Sequence, residues 1–227
     1  MILRTFASGG ASVVVSERGD GDVALAFDGG VLREDSALAQ GLEAVIGARR
    51  RVVRARQVHS SIVLPAGLIQ PGKMPDADGL FSRDIALVPA VMTADCVPIA
   101  LYAPEESLVE ALHAGWRGIV GGVVREGVRA LRRQGASSIH AIVGPHICVR
   151  CYEFKGDAAP IARAALGNEC FVGDQLDLAY AVERDLDELG VVLEPSFGIC
   201  TRESPSLPSY RGGDMSDRLV MMVVHKP

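Results

Sequence analysis

The chain has 227 residues, of which 48% are hydrophobic, 22% charged and 5% aromatic, the profile of a folded globular protein with a sizeable core rather than a disordered one. Its formal net charge of −5 comes from 23 basic and 28 acidic residues that are dispersed along the sequence, so nothing in the balance favours nucleic acid as a partner. No apolar run is long enough to span a bilayer, and no linker appears, so one domain over residues 1–227 is expected. The N-terminus lacks the apolar core of a secretory signal. The odd set of five cysteines (Cys96, Cys148, Cys151, Cys170 and Cys200) therefore reads as reduced thiols in the cytoplasm.

Along the chain, residues 12–15 (SVVV) and 22–27 (DVALAF) have strand composition, and the ERGDG between them predicts an N-terminal hairpin. A helix is predicted over 34–49 and a strand over 51–58, ending at His59. Three short apolar runs, 85–92, 97–102 and 108–113, are predicted strands interrupted by TADC and APEES. Pairing the second with the third brings Cys96 and His113 to the same end of a sheet. From Arg117 to Gln134 the stripe of Ile119, Val120, Val123, Val124, Val128 and Leu131 predicts a helix. Gly118, Gly121, Gly122 and Gly127 weaken that helix and point to close packing against a sheet or a ligand. A strand over 137–143, helices over 157–166 and 174–190, and a final strand over 219–225 complete a mixed α/β or α+β pattern with antiparallel neighbours.

His59, Cys96 and His113 stand at the ends of apolar runs in three separate segments, RQVHSS, MTADCVP and LHAGWRG. Two imidazoles and a thiolate suit a zinc ion with an open fourth position. Their wide spacing is unlike a zinc finger, whose ligands come in close pairs. The same residue types also suit a cysteine nucleophile with a histidine base, and spacing does not separate the two readings. Asp95, beside Cys96, is expected to face away and hydrogen-bond structurally. Trp116 is placed equally well in the core or beside a ligand, and Arg117 equally well at a carboxylate or a phosphate. Cys148 and Cys151 form a C-x-x-C that could be half a zinc site or a redox pair, but with no second C-x-x-C to complete a four-cysteine site and no βαβ unit opening with it in thioredoxin fashion, a purely structural role is expected.

Four segments, MTADCVPIAL, HAGWRGIVGGVV, GPHICVRCYE and SYRGGDMSDR, resemble the signature segments of one family. It is the YfiH-like family, long called multicopper polyphenol oxidase or laccase-domain proteins and now described as purine nucleoside phosphorylases. The resemblance covers residues 50 to 227 well and the N-terminal part weakly. It implies a single-domain, four-layer α-β-β-α sandwich of mixed sheets, with His59, Cys96 and His113 as zinc ligands and catalytic residues. It further implies phosphorolysis of adenosine, inosine, guanosine and methylthioadenosine to a free base and ribose 1-phosphate, with adenosine deaminase activity alongside. Purine nucleosides and phosphate are then the partners, with no nucleic acid and no membrane.

Arg18 resembles an arginine of the family's N-terminal turn and Arg218 the last arginine of its C-terminal signature, both implied to bind substrate or phosphate. The chain departs from the pattern at Ala24 or a neighbour, where asparagine is expected, at Gly212, where a second arginine is common, and at Asp217, where glycine is expected. Two alternatives accompany this reading. One is a copper polyphenol oxidase, for which five histidines with no H-x-H pair are too few. The other is a cysteine hydrolase editing peptidoglycan precursors, with Cys96 as nucleophile and His113 as base.

Overall fold

Valine- and alanine-rich runs build two mixed sheets stacked face to face in the computed structural model, which describes residues 4–7, 10–20, 23–46 and 50–226. In chain order the first strands are β1 (Arg4–Ala7), β2 (Ala11–Val15), β3 (Phe27–Asp28), β4 (Val31–Leu32), β5 (Arg51–Val53), β6 (Val63–Pro65), β7 (Gly79–Ser82) and β8 (Leu87–Thr93). Then come β9 (Val97–Ala103), β10 (Leu108–Ala114), β11 (His140–Val143), β12 (Phe171–Val172), β13 (Gln175–Leu176), β14 (Val192–Leu193) and β15 (Leu219–His225). The helices are α1 (Ala37–Ile46), α2 (Trp116–Val120), α3 (Val123–Arg133), α4 (Ala158–Leu166) and α5 (Leu178–Glu188). None is long and apolar enough to cross a membrane.

The first sheet has the order β1-β2-β15-β8-β5-β4-β3 and the second β14-β11-β9-β10-β7-β6, while β12 and β13 form a separate ribbon. Pairings are antiparallel except β5 with β8, β6 with β7 and β11 with β14. Strands β8, β9, β10 and β15 are buried along their whole length, and so read as near-continuous apolar runs, broken by Glu110 and His113 in β10 and by His225 in β15, rather than as alternating ones. Between the sheets lies a core in which Val13, Val15, Val91, Met221 and Val223 meet Ala100, Tyr102, Val109, Ala111 and Ile142. Leu38 and Leu42 of α1 cover the outer face of the first sheet against Val14, Val88 and Met222. Residues of α2 to α5, among them Ile119, Val128, Leu131, Ala162, Val182 and Leu186, cover the outer face of the second against Ile99, Leu101 and Leu112. The result is four layers, α-β-β-α.

Where the expected elements shift, burial gives the reason. Residues 22–27 do not form a strand: Ala24–Ala26 is a 3-10 turn leading into β3, and residues 21–22 lie outside the described set. Val23, Ala26 and Phe27 are buried while Leu25 is 69% exposed, a spacing of three that a strand cannot supply. Strand β2 pairs instead with β1 and β15. The predicted strand over 51–58 stops at Val53, and the helix predicted from Arg117 breaks into α2 and α3 at Gly122, whose φ of +85° favours glycine. Of the predicted helix over 34–49, residues 47–49 lie outside the described set. The hairpin of β9 with β10 forms as expected, with His113 opposite Pro98.

Helix α3 approaches β10 closely because Gly127 has no side chain: a Cβ there would lie 2.5 Å from Leu112 Cδ1 and 2.6 Å from Glu110 Oε1. Glu110 is fully buried under this contact, and neither carboxyl oxygen has a hydrogen-bond partner among the described residues. Burial pushes its carboxyl well above the usual range, against a smaller opposing pull from Arg133. The folded chain thus keeps a proton that the unfolded chain releases above about pH 4.3, so the contribution of Glu110 to stability is most favourable below that pH and falls as pH rises toward the folded value. Glu110→Gln is expected to raise Tm at neutral pH by a few degrees, at about 2–4 °C per kcal/mol for a chain of this size, and to flatten the decline in stability as pH rises above the ordinary carboxylate range. Calorimetry giving an unchanged Tm and an unchanged pH slope would contradict this.

Candidate metal centre

The β9–β10 hairpin places His113, near the end of β10, across from Pro98, and Cys96 immediately before β9. Register with the neighbouring strand then delivers Asp78. Leu112 pairs with Gly79 of β7, and the His113 N–H donates to the Asp78 carbonyl at 2.7 Å. His59 enters from the loop between β5 and β6, where its φ of +58° puts it in the left-handed region, an uncommon state for a residue with a side chain. The ligand atoms of His59, Cys96 and His113 all lie within 4.8 Å of one another.

Asp78 organises this cluster. Its carboxylate accepts from the backbone N–H groups of Val58 (3.2 Å), His59 (3.0 Å) and Ser60 (2.6 Å), from the Ser60 hydroxyl (2.8 Å) and from His113 Nδ1 (2.8 Å). Burial pushes the Asp78 carboxyl up, but the bonds from His113 and Ser60 outweigh it and hold it at about 2. Burial likewise lowers His113, and Asp78 and Cys96 together raise it to about 9. The Cys96 thiol, pushed up by burial, is brought down to about 6 by His113 and His59. With Nδ1 committed to Asp78, His113 presents Nε2 to the cluster, the arrangement in which a carboxylate orients a metal-bound histidine.

The residues present fit a metal ion. Cys96 Sγ lies 3.8 Å from His59 Nε2, near the separation of about 3.5 Å between ligands of a tetrahedral zinc. Gly115 leaves the room: a Cβ there would lie 2.6 Å from His59 Cδ2 and 3.0 Å from Cys96 Sγ. Imidazole nitrogens with a thiolate accept zinc or copper and are poor ligands for magnesium or calcium.

The cluster opens onto a cleft of about 700 Å³ lined by His59, Cys96 and His113 together with Arg54, Arg56, Arg117, Arg211 and Arg218 and the aromatics Trp116, Tyr152 and Tyr210. Arg117 lies 4.5 Å over the Trp116 ring and Arg211 4.6 Å over Tyr152, so cationic and flat apolar surfaces alternate around the opening. Burial pushes the Tyr152 phenol up to about 12. Trp116 also meets Phe154 edge to face at 5.3 Å, so it serves core and cleft at once.

Arg218 lines the cleft and donates to the carbonyls of Asp217 (2.6 Å) and Met215 (3.2 Å). Arg18 is not among the lining residues. Its guanidinium forms two hydrogen bonds to Asp214, at 2.7 and 2.5 Å, and approaches Asp217 at 3.7 Å. Asp95, in left-handed backbone at φ +89°, lines the same cleft and has a structural role there, accepting from the Thr201 hydroxyl and the Arg211 N–H, both at 2.7 Å. His146 hydrogen-bonds the Gly144 carbonyl, His140 pairs with Glu194, and His225 lies on β15. Of the five histidines, only His59 and His113 share a ligand cluster. Sequence reasoning missed Asp78 and Tyr152. A metal-binding histidine needs a carboxylate or carbonyl on its second nitrogen, and that requirement is the one signal that would have prompted a search for an acidic residue on the neighbouring strand.

Known proteins bear on this geometry. The chain is 34% identical over 218 residues to "Purine nucleoside phosphorylase SCO2081" of Streptomyces coelicolor, covering 93% of this chain and 89% of that protein. A shorter stretch of 86 residues is 42% identical to "Adenosine deaminase RL5" of an unknown prokaryotic organism, covering 37% of this chain and 33% of that one. The fold superposes with a TM-score of 0.76 on the crystal structure of the Bacillus licheniformis hypothetical protein YfiH, at 21% identity over 95% of this chain and 92% of that chain. The family profile described as multi-copper polyphenol oxidoreductase laccase matches residues 31–226, and the chain belongs to this family.

Proposed function

We propose that this protein is a zinc-dependent purine nucleoside phosphorylase acting on adenosine, inosine, guanosine and methylthioadenosine, with adenosine deaminase activity at the same centre, and that residues 1–227 work as one catalytic unit. The observation that carries the proposal is the convergence of His59, Cys96 and His113 at a cleft that also presents five arginines and three aromatic rings. Relatives named as a purine nucleoside phosphorylase and an adenosine deaminase support it.

In phosphorolysis a phosphate oxygen bonds to ribose C1′, the C1′–N9 bond breaks, and the purine leaves with the electron pair and takes up a proton. Arg54, Arg117 and Arg218 supply the positive charge that holds a phosphate dianion, and Trp116, Tyr152 and Tyr210 offer faces for the base. Tyr152, un-ionised at neutral pH and lining the cleft, would donate a hydrogen bond to the departing purine. His59, Cys96 and His113 would hold the zinc ion, which would supply Lewis-acid chemistry at the cleft. Asp78 keeps His113 in the tautomer that leaves Nε2 free, and fixes His59 through its backbone. In deamination the same cleft admits water, which adds at the purine C6 as ammonia leaves. Arg18 acts through Asp214, which it braces against the Ser209 N–H at 2.8 Å, as a positioning residue for the turn that carries Arg211.

The cysteine-hydrolase reading has one observation in its favour, a thiol lowered to about 6 beside an imidazole raised to about 9, but it leaves His59 without a role. Product analysis separates the two. Zinc-loaded protein is expected to convert adenosine to adenine and ribose 1-phosphate only when phosphate is present, and to inosine by deamination with or without it, hypoxanthine following from inosine by phosphorolysis. Chelation is expected to abolish both. Absence of base release and of deamination by zinc-loaded protein sinks the proposal, and activity that survives chelation favours the hydrolase.

Arg218→Ala is expected to raise KM for phosphate about 10- to 100-fold, the range of one to two charge-assisted hydrogen bonds. Arg18→Ala is expected to raise it less, and the reverse order in steady-state kinetics would contradict the assigned roles. Asp78→Asn is expected to weaken zinc binding about 10- to 100-fold, measured by competition with a chromogenic chelator. Unchanged affinity would remove Asp78 from the account of the centre.

A further inference from the structure

A second cluster of metal-ligand type lies outside the cleft lining. Cys148, Cys151, Cys200 and Glu203 bring three sulfurs and a carboxylate oxygen within 4.8 Å of one another. The chain builds it from two turns. His146 and Cys200 form a parallel β-bridge, in which the His146 N–H donates to the Ile199 carbonyl at 3.2 Å and the Thr201 N–H to the His146 carbonyl at 2.9 Å. That bridge sets Cys148 beside Cys200. A 3-10 turn over Val149–Cys151 then folds Cys151 back, its N–H donating to the Cys148 carbonyl at 3.0 Å. On the opposing strand, a turn closed by the Ser204 N–H to the Cys200 carbonyl at 3.0 Å returns Glu203 over Cys200. The spacings are C-x2-C and C-x2-E, each pair held on one tight turn.

We propose that Cys148, Cys151, Cys200 and Glu203 form a structural zinc site, independent of the catalytic centre. Glu203 Oε1 lies 3.7 Å from Cys148 Sγ and 3.6 Å from Cys151 Sγ. Bond lengths of about 2.3 Å to sulfur and about 2.0 Å to oxygen set sulfur–oxygen separations of about 3.5 Å in a tetrahedron. The surroundings are those of a bound thiolate site. The N–H groups of Cys148, at 3.3 Å, and of Arg202 and Glu203 point at the Cys200 sulfur, as donors around a metal-bound thiolate do. Three thiolates, a carboxylate and a divalent cation leave two negative charges. Arg150 meets Glu203 at 3.0 and 3.1 Å and Arg202 reaches the Cys151 carbonyl at 3.1 Å, so two cations offset them. All four donors are half-buried or exposed, so zinc enters without unfolding the chain. The site staples the segment carrying Tyr152 to the segment that leads through Thr201 to Arg211, both of them in the wall of the cleft.

Zinc content of the reduced, full-length protein tests this. The wild type is expected to hold two zinc ions per chain, a C148S/C200S variant one, and a H59A/C96A variant one. A wild type holding a single zinc that C148S/C200S retains would overturn the proposal. Should the variants fail to fold, alkylation of the wild-type protein mapped by peptide mass spectrometry decides. Zinc is expected to slow modification of Cys148, Cys151 and Cys200 at least about tenfold relative to chelated protein, with buried Cys170 as the unchanged control. Equal rates, or a mass two daltons low from a disulfide among the three, overturn it. The outcome at these cysteines does not depend on whether the cleft processes nucleosides.

Discussion

One buried carboxylate holds the centre together. Asp78 is fully removed from solvent, and an isolated charge there would cost several kcal/mol. It is tolerated because five donors converge on it, three backbone N–H groups, a hydroxyl and an imidazole. Each of those donors belongs to a segment that contributes a ligand. His59 is fixed by its own backbone and that of its neighbours, which turns it into left-handed geometry, and His113 is fixed by its ring. A single residue preceding β7 thereby sets the distance between two imidazoles that are far apart in sequence.

The two sheets make that possible. Because β9 and β10 are a hairpin and β7 lies on the other side of β10, Cys96, His113 and Asp78 arrive at one sheet end by register alone. Only His59 needs a loop. The C-terminal segment before β15 then closes the cleft, anchored in the core between the sheets by Leu207 and held at the cleft by polar contacts: Asp95 accepts from Thr201 and Arg211, and Arg18 grips Asp214. Such a wall brings Arg211 and Arg218 to the cleft without burying either in the core. Glu110 shows the contrary case, a carboxyl enclosed by the helix layer with no partner, which keeps its proton instead.

Much of this was legible in the chain. The runs that became β9, β10 and β15 are mostly apolar and bounded by turn residues, so their limits could be read within a residue or two, and the hairpin followed from the short connection. The ligand trio stood out because its residue types share one chemistry. Asp78 did not, since an aspartate before a strand is ordinary until register places it beside His113. Residues 22–27 have strand composition, yet a three-residue spacing of buried positions won over it. The position of His59 was expected as the end of a strand, whereas β5 stops at Val53 and hydrogen bonds to Asp78 dictate the rest. For Cys148 and Cys151, half of a cluster was visible, but Cys200 and Glu203 reach it only through the bridge between His146 and Cys200.

We propose that His59, Cys96 and His113 hold one metal ion in an orientation set by Asp78. Anomalous diffraction at the zinc edge, from crystals grown with zinc and phosphate, tests it most directly. The account predicts a peak about 2.0–2.3 Å from His59 Nε2, Cys96 Sγ and His113 Nε2, with His113 Nδ1 still on Asp78. A map with no peak at these three atoms, or with His113 turned away from Asp78, would contradict it.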